Sequence, residues 1–225
     1  MEIVPGVHLL QFIFVNAFLI DAGGPLLLVD AGIPGSGRQI LSYLKDLGRF
    51  PADLEAIAIT HCHFDHVGTL ADLSRATSAQ VCASQTDAAV ISGQARQFRP
   101  PLNRPVRILG RALGAFVKPA AVRVDRILRD GDRVGPLVVV ASPGHTLGHL
   151  CYYWPERRTL FAGDSMVTQP RLRGPLEDFT EDMAEAHRSL RRLSELDVET
   201  LCVSHGAPIL AGAGVQLRRM TEALA

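Results

Sequence analysis

Between residues 54 and 66 the chain runs LEAIAITHCHFDH, so a stretch built to be a buried strand passes directly into three histidines and an aspartate. Strands send alternate side chains to opposite faces, so His61 and His63 share one side while Cys62 between them faces the core. Asp65 and His66 follow where the chain must turn into the next helix, and their side chains can point differently while staying close by. Neutral imidazoles beside a carboxylate suit Zn(II), Fe(II) or Mn(II). One short stretch can therefore contribute to two adjacent metals, provided the fold brings this strand end to an edge where other ligands converge.

The remaining pattern supplies such an edge. VHLLQFIFV, AFLIDA and PLLLVDAG read as strands, with DAGGP as a hairpin turn between the last two. GSGRQILSYLKDLG reads as a helix with Ile40, Leu41, Leu44 and Leu47 on one face and Gly48 as its stop. The helices VGTLADLSRA and TDAAVISGQ flank the strand AQVCAS. Strand signals return in LVVVASPG, HLCYYW and RTLFAGD, followed by a long helix over about 177–196, the strand TLCVSHG and a terminal helix. Two batches of strands separated by helices predict an α/β (α+β) chain with its helices outside the sheets. A length of 225 residues with 47% hydrophobic and 20% charged content fits one domain over 1–225.

Three more polar residues each follow a strand signal beside a glycine: His145 in SPGHTLGHL, Asp164 in LFAGDS and His205 in LCVSHG. Catalytic groups sit on such loop ends. Asp30 closes LLLVDAG in the same way. His149, one strand-length past His145, either orients a ligand through a hydrogen bond or packs as an ordinary strand histidine. His8 and His187 read as plain strand and helix residues. The four cysteines form no C-x-x-C pair and read as reduced, mostly buried thiols.

Together these residues resemble the metallo-β-lactamase-fold superfamily. Its signature H-x-H-x-D-H is followed by a His, an Asp and a His in separate turns, and preceded by an Asp after a strand. NAFLIDA, SPGHTLGHLCYY and FAGDS look most like the glyoxalase II branch. The resemblance implies a four-layer αββα sandwich, two mixed β-sheets face to face with helices outside. It implies His61, His63 and His145 on one divalent ion, Asp65, His66 and His205 on a second, Asp164 bridging, and Asp30 holding the loop from behind. Zn(II) is the expected metal, with Fe(II) or Mn(II) compatible. Two such ions about 3.5–4 Å apart share a water whose pKa falls from about 15.7 towards roughly 7, giving a bridging hydroxide nucleophile. Asp65 and Asp164, the expected catalytic carboxylates, offset only part of the positive charge, and the remaining field polarises a carbonyl and stabilises its oxyanion.

The expected enzyme is a metallohydrolase of a small thioester, lactone or ester. Runners-up of the same fold are a mononuclear iron persulfide dioxygenase using His61, His145 and Asp164, a metal-dependent nuclease and a β-lactam hydrolase. Two departures bear on substrate: Val167 stands where quorum-signal lactonases carry a tyrosine, and no long helical domain follows His205, where glyoxalase II has its glutathione site.

The formal net charge of zero, from 23 basic and 23 acidic residues, argues against nucleic acid and for a small-molecule substrate. Charge is nonetheless uneven, with ten Lys/Arg against three Asp between Arg96 and Arg133. Overlapping that segment, a proline-interrupted insertion over about 94–124 carries one expected helix, about 106–117, with Arg104, Arg107 and Arg111 on one face and Leu109, Ala112, Leu113 and Phe116 on another. It reads either as a solvated face packed on the body or on a second copy of the chain in a homodimer, or as a lid. As a lid, Phe98, Phe116 and the arginines would select an acyl or anionic substrate. The amino terminus has no basic leader, and FIFVNAFLI is too short and interrupted to span a bilayer, so no membrane span and a cytoplasmic location are expected.

Overall fold

In the computed structural model, which describes residues 1–96 and 119–224, the strands form two mixed sheets. The first contains, in spatial and chain order, β1 (Glu2–Val4), β2 (Val7–Gln11), β3 (Asn16–Asp21), β4 (Leu26–Val29), β5 (Leu54–Ala58), β6 (Gln80–Ser84) and β7 (Arg126–Leu128). β1 to β4 pair antiparallel and β4 to β7 pair parallel. The switch follows from the connections. Tight turns join the first four strands, whereas α1 (Gly37–Asp46), α2 (Phe64–Val67) with α3 (Leu70–Thr77), and α4 (Gln85–Ile91) lie in the crossovers.

The second sheet runs in the order β12 (Thr200–Val203), β11 (Thr159–Gly163), β10 (Leu150–Trp154), β9 (Leu137–Ala141) and β8 (Arg133–Val134). Only β11 and β12 are parallel, and the helix α5 (Met183–Ser194) lies between them in sequence. α6 (Ala213–Glu222) follows β12.

Period-two alternation sorts the apolar side chains into three clusters. Leu19, Leu28, Ile57 and Val81 meet Ile40, Leu44, Leu70 and Leu73 of the first helix layer. Their strand neighbours Phe18, Ile20, Leu27, Val29, Ala58 and Cys82 meet Val139, Leu150, Tyr152, Phe161 and Cys202 of the facing sheet. On that sheet's far side Cys151, Leu160, Leu201 and Val203 pack against Leu190, Leu193 and Leu217 of α5 and α6. Three clusters between four layers make an αββα sandwich. Each large aliphatic side chain buried there contributes roughly 1.5–3 kcal/mol. A one-residue slip in any central strand would trade one cluster for another and forfeit most of it.

Several boundaries differ from the sequence expectation. β2 stops at Gln11 because Phe12 to Val15 form a turn, closed by the Phe12 N–H on Val15 O at 2.9 Å. The helix expected from Glu177 begins only at Met183: the Glu181 and Asp182 N–H groups donate to Gly144 O, and the Asp182 side chain caps α5 by accepting from the Glu185 N–H at 2.9 Å. β7 and β8 are two short strands that the residue pattern did not announce. The expected helix over 106–117, with Phe98, Arg104, Arg107, Arg111 and Phe116, lies outside the described residues. The four cysteines are free and buried, Cys62 in the helix-side cluster. No helix among the described residues is long and apolar enough to cross a membrane.

Candidate metal centre

His61, His145, Asp164 and His205 each lie just past the C-terminal end of a strand, respectively β5, β9, β11 and β12. His63 precedes the first turn of α2, and Asp65 and His66 lie within it. The fold brings all seven expected ligands together. Three overlapping groups, His61–His63–His145, His61–His66–Asp164 and Asp65–His66–His205, each place one ligand atom per residue within 4.8 Å of the others. His145 Nε2 stands 3.0 Å from His63 Nδ1. Asp164 reaches both sides, with Oδ2 3.5 Å from His145 Nε2 and 3.2 Å from His205 Nε2, and Oδ1 3.4 Å from His66 Nε2. Asp65 Oδ2 lies 3.4 Å from His205 Nε2 and 3.8 Å from His66 Nε2.

The outer nitrogens of these rings are committed elsewhere. Asp30 is buried in the left-handed region at φ 63°, a backbone state tolerated by few residues besides glycine and Asn/Asp. Its Oδ1 accepts from the Thr60 N–H and its Oδ2 from the Thr60 hydroxyl, each at 2.8 Å, and Oδ2 also accepts from His66 Nδ1 at 2.8 Å. With its proton given to Asp30, the Thr60 hydroxyl can only accept from His61 Nδ1, 3.0 Å away. The Phe14 carbonyl likewise accepts from His205 Nδ1 at 2.8 Å. Thr180, whose hydroxyl donates to Leu176 O, faces His145 Nδ1 at 3.4 Å. In the neutral forms of His61, His66, His145 and His205 the free lone pair therefore sits on Nε2. His61 Nε2, His66 Nε2 and Asp164 Oδ1 are buried without a hydrogen-bond partner. Orphaned buried polar atoms are uncommon, and three of them within one His/Asp cluster fit the chemistry of a bound cation.

His149 takes a different place. Its Nε2 accepts the Asp164 peptide N–H at 3.1 Å and its Nδ1 donates to Ser142 Oγ at 2.8 Å, so both nitrogens are used behind the cluster. Burial drives its pKa down to about 3, keeping the ring neutral for that acceptor role. Gly163, at φ 52°, lets β11 turn into Asp164, and a Cβ there would stand 2.6 Å from His149 Nε2.

Electrostatics divides the expected ligands. Burial, then repulsion by neighbouring imidazoles, holds His61 well below the ordinary histidine value, and burial does the same to His145. Burial also pulls on His66 and His205, but the carboxylates outweigh it and raise them, to about 9 through Asp164, Asp30 and Asp65 and to about 11 through Asp164 and Asp65. In return the two histidines hold Asp164 well below, and Asp65 below, the usual carboxylate value despite burial.

Several residues that position the site escaped the sequence reading. Asn16, which opens β3, ties the His205 turn down: its peptide N–H donates to Ser204 O at 2.9 Å, and its Nδ2 to Val203 O at 3.0 Å and Gly206 O at 2.9 Å. The Tyr152 hydroxyl donates across the sandwich to Ile59 O at 2.7 Å, and the Leu150 N–H to Thr60 O at 2.9 Å. A polar residue opening an apolar strand was a usable signal for Asn16; Tyr152 and Thr180 carry none. At the edge of the cluster the Phe14 ring stacks on His205, centroids 6.4 Å apart and planes 9° from parallel, and meets Phe64 at 6.4 Å.

Comparison with known proteins agrees with this geometry. The sequence profile of the metallo-beta-lactamase superfamily matches residues 10–205. YflN of Bacillus subtilis (strain 168), a probable metallo-hydrolase, is 29% identical over 233 residues, covering 92% of this chain and 86% of its own length. A hydroxyacylglutathione hydrolase of Cereibacter sphaeroides is 34% identical over 197 residues, 84% of this chain but 61% of that protein. The solved structure of TTHA1623 in a di-iron-bound form matches with a TM-score of 0.70 and 28% identity, over 90% of this chain and 92% of that one.

Proposed function

The chain belongs to the metallo-β-lactamase superfamily, and from that premise we propose that its His/Asp cluster holds two divalent metal ions and hydrolyses a small thioester, lactone or ester. The observation that carries the reading is the position of Asp164, within 3.5 Å of nitrogens on His145, His66 and His205, so that one carboxylate is shared between the three-histidine group and the Asp65–His66–His205 group. His61, His63 and His145 would hold one ion, Asp65, His66 and His205 the other. When bound, the ions supply Lewis acidity and a water acidic enough to attack at neutral pH.

The chain's own residues do the rest. Asp65 and Asp164 balance part of the cationic charge and leave a net positive field for a carbonyl whose oxygen gains negative charge. Asp30 holds His66 directly and His61 through Thr60, presenting their Nε2 lone pairs. His149 fixes the turn that carries Asp164. Phe14 and Phe64, beside His205 and Asp65, give the acyl or leaving group an apolar surface.

Zinc suits this ligand set, and the di-iron form of TTHA1623 makes iron the alternative to be distinguished by metal analysis. The hydroxyacylglutathione hydrolases among its relatives support a thioester within the proposed class. The mononuclear persulfide dioxygenase reading gives Asp65, His66 and His205 no task, although they form a ligand group of their own. The test is a panel of thioesters, lactones, esters, β-lactams and persulfides offered to the metal-loaded protein. Hydrolysis of a thioester, lactone or ester that disappears in His61→Ala with Asp164→Ala is expected. Oxygen uptake with a persulfide and no hydrolysis would overturn the reading.

A further inference from the structure

Besides Asp30, one buried carboxylate among the described residues takes no part in the ligand groups. Asp87 lies in the first turn of α4, where its peptide N–H donates to the Ser84 hydroxyl at 3.2 Å, and it is 2% exposed. Its Oδ2 accepts the Thr146 hydroxyl at 2.9 Å. Cys62, in the loop after β5, pulls electrostatically on the same carboxyl group. Gly148 packs so close that a Cβ there would stand 2.7 Å from Asp87 Oδ1. Cys62 separates His61 from His63, Thr146 follows His145, and Gly148 precedes His149. The carboxylate thus bonds to the histidine loop after β9 and acts on the one after β5 through its charge.

Capping α4 does not require this. The Ser84 side chain already accepts the Asp87 N–H, whereas burying a carboxylate is costly unless its partners are worth holding. Burial raises the Asp87 carboxyl to about 6 even though Thr146 and Cys62 pull it down.

We propose that Asp87 is a positioning residue of the metal centre, a strut that anchors Thr146 and Gly148 of the His145 loop to α4 and so sets the spacing of His145 against His61 and His63. The proposal rests on reading the cluster as a metal centre. His145 and His63 already approach to 3.0 Å, so a small relative shift of the two loops would spoil a site that three imidazoles must share.

The experiment measures metal affinity by chelator competition for the full chain as wild type, Asp87→Asn, Thr146→Val and Thr146→Ser, alongside thermal unfolding of each metal-free protein. Outer residues that orient ligands are worth about 10–100-fold in affinity. A loss of that size is expected in Asp87→Asn and Thr146→Val, with wild-type affinity in Thr146→Ser, which keeps the hydroxyl. The metal-free melting temperature of Asp87→Asn is expected to match or exceed that of wild type, because an amide replaces a buried acid. Wild-type affinity in Asp87→Asn, or in Thr146→Val should Asp87→Asn not fold, would overturn the proposal and leave Asp87 a purely structural group. A wild-type chain that binds no metal would instead remove the proposed function itself, together with this inference.

Discussion

The two halves of the His/Asp cluster solve the same problem in opposite ways. His61 and His145 are fully or almost fully buried, and desolvation keeps them neutral with lone pairs available. The half formed by Asp65, His66 and His205 is buried to a similar degree but charged, and its carboxylates hold His66 near 9 and His205 near 11. A cation entering the histidine half displaces no proton at neutral pH; one entering the carboxylate half must displace protons from His66 and His205. The half with the greater negative charge is therefore the one whose occupancy depends more on pH.

The largest test of this division removes one residue that belongs to the histidine half and the carboxylate that both halves share. His61→Ala with Asp164→Ala is expected to lower hydrolysis by on the order of a thousandfold or more, read as kcat/KM. Next, the second equivalent of metal should bind more tightly as pH rises, by roughly tenfold per displaced proton per pH unit below the raised histidine values, while the first equivalent stays nearly flat above pH about 7. Calorimetry in buffers of different ionisation enthalpy checks this: equal proton release for both equivalents would erase the distinction.

Beneath the neutral half, Asp87 makes a separate prediction for the metal-free protein. Its carboxyl is raised from 3.8 to about 6 on folding, so below pH about 4 both states are protonated and the group has no effect. Between pH about 4 and 6 the unfolded chain has released the proton that the folded chain keeps, so wild type loses stability across that window, by up to about 3 kcal/mol relative to Asp87→Asn above pH 6. Urea titrations of the pair across that range should diverge with rising pH; parallel curves would deny Asp87 its buried, raised state. His149→Ala, which frees the Asp164 turn from behind, should weaken metal binding about 10–100-fold, a competition assay being the check. The smallest effect falls at the edge of the carboxylate half, where Phe14→Ala removes a ring stacked on His205; the loss in stability should be within about 1 kcal/mol by denaturant titration.

What the residues revealed in advance divides along similar lines. The histidine loop was legible because four candidate ligands fall within six positions after one strand, and a strand's alternation tells which of them share a side. His145, Asp164 and His205 were legible because each follows an apolar run beside a glycine. The three core layers follow from alternation too, as Leu19 and Ile20, or Leu160 and Phe161, part to opposite faces. Asn16 holds Val203 across 187 residues of sequence, Tyr152 holds Ile59 across 93, and Asp87 meets Thr146 across 59; in none of them can the partner be read from the local sequence. The start of α5 was misplaced for the same reason, since the Gly144 carbonyl that accepts from Glu181 and Asp182 comes from a distant turn.

The most direct measurement is metal content per chain after saturation and removal of excess ion, for wild type and for His205→Ala. A centre shared through Asp164 predicts about two equivalents in wild type and about one in His205→Ala, because the three-histidine half stays intact. Fewer than about one equivalent in wild type, or a single equivalent that His205→Ala leaves unchanged, would contradict it.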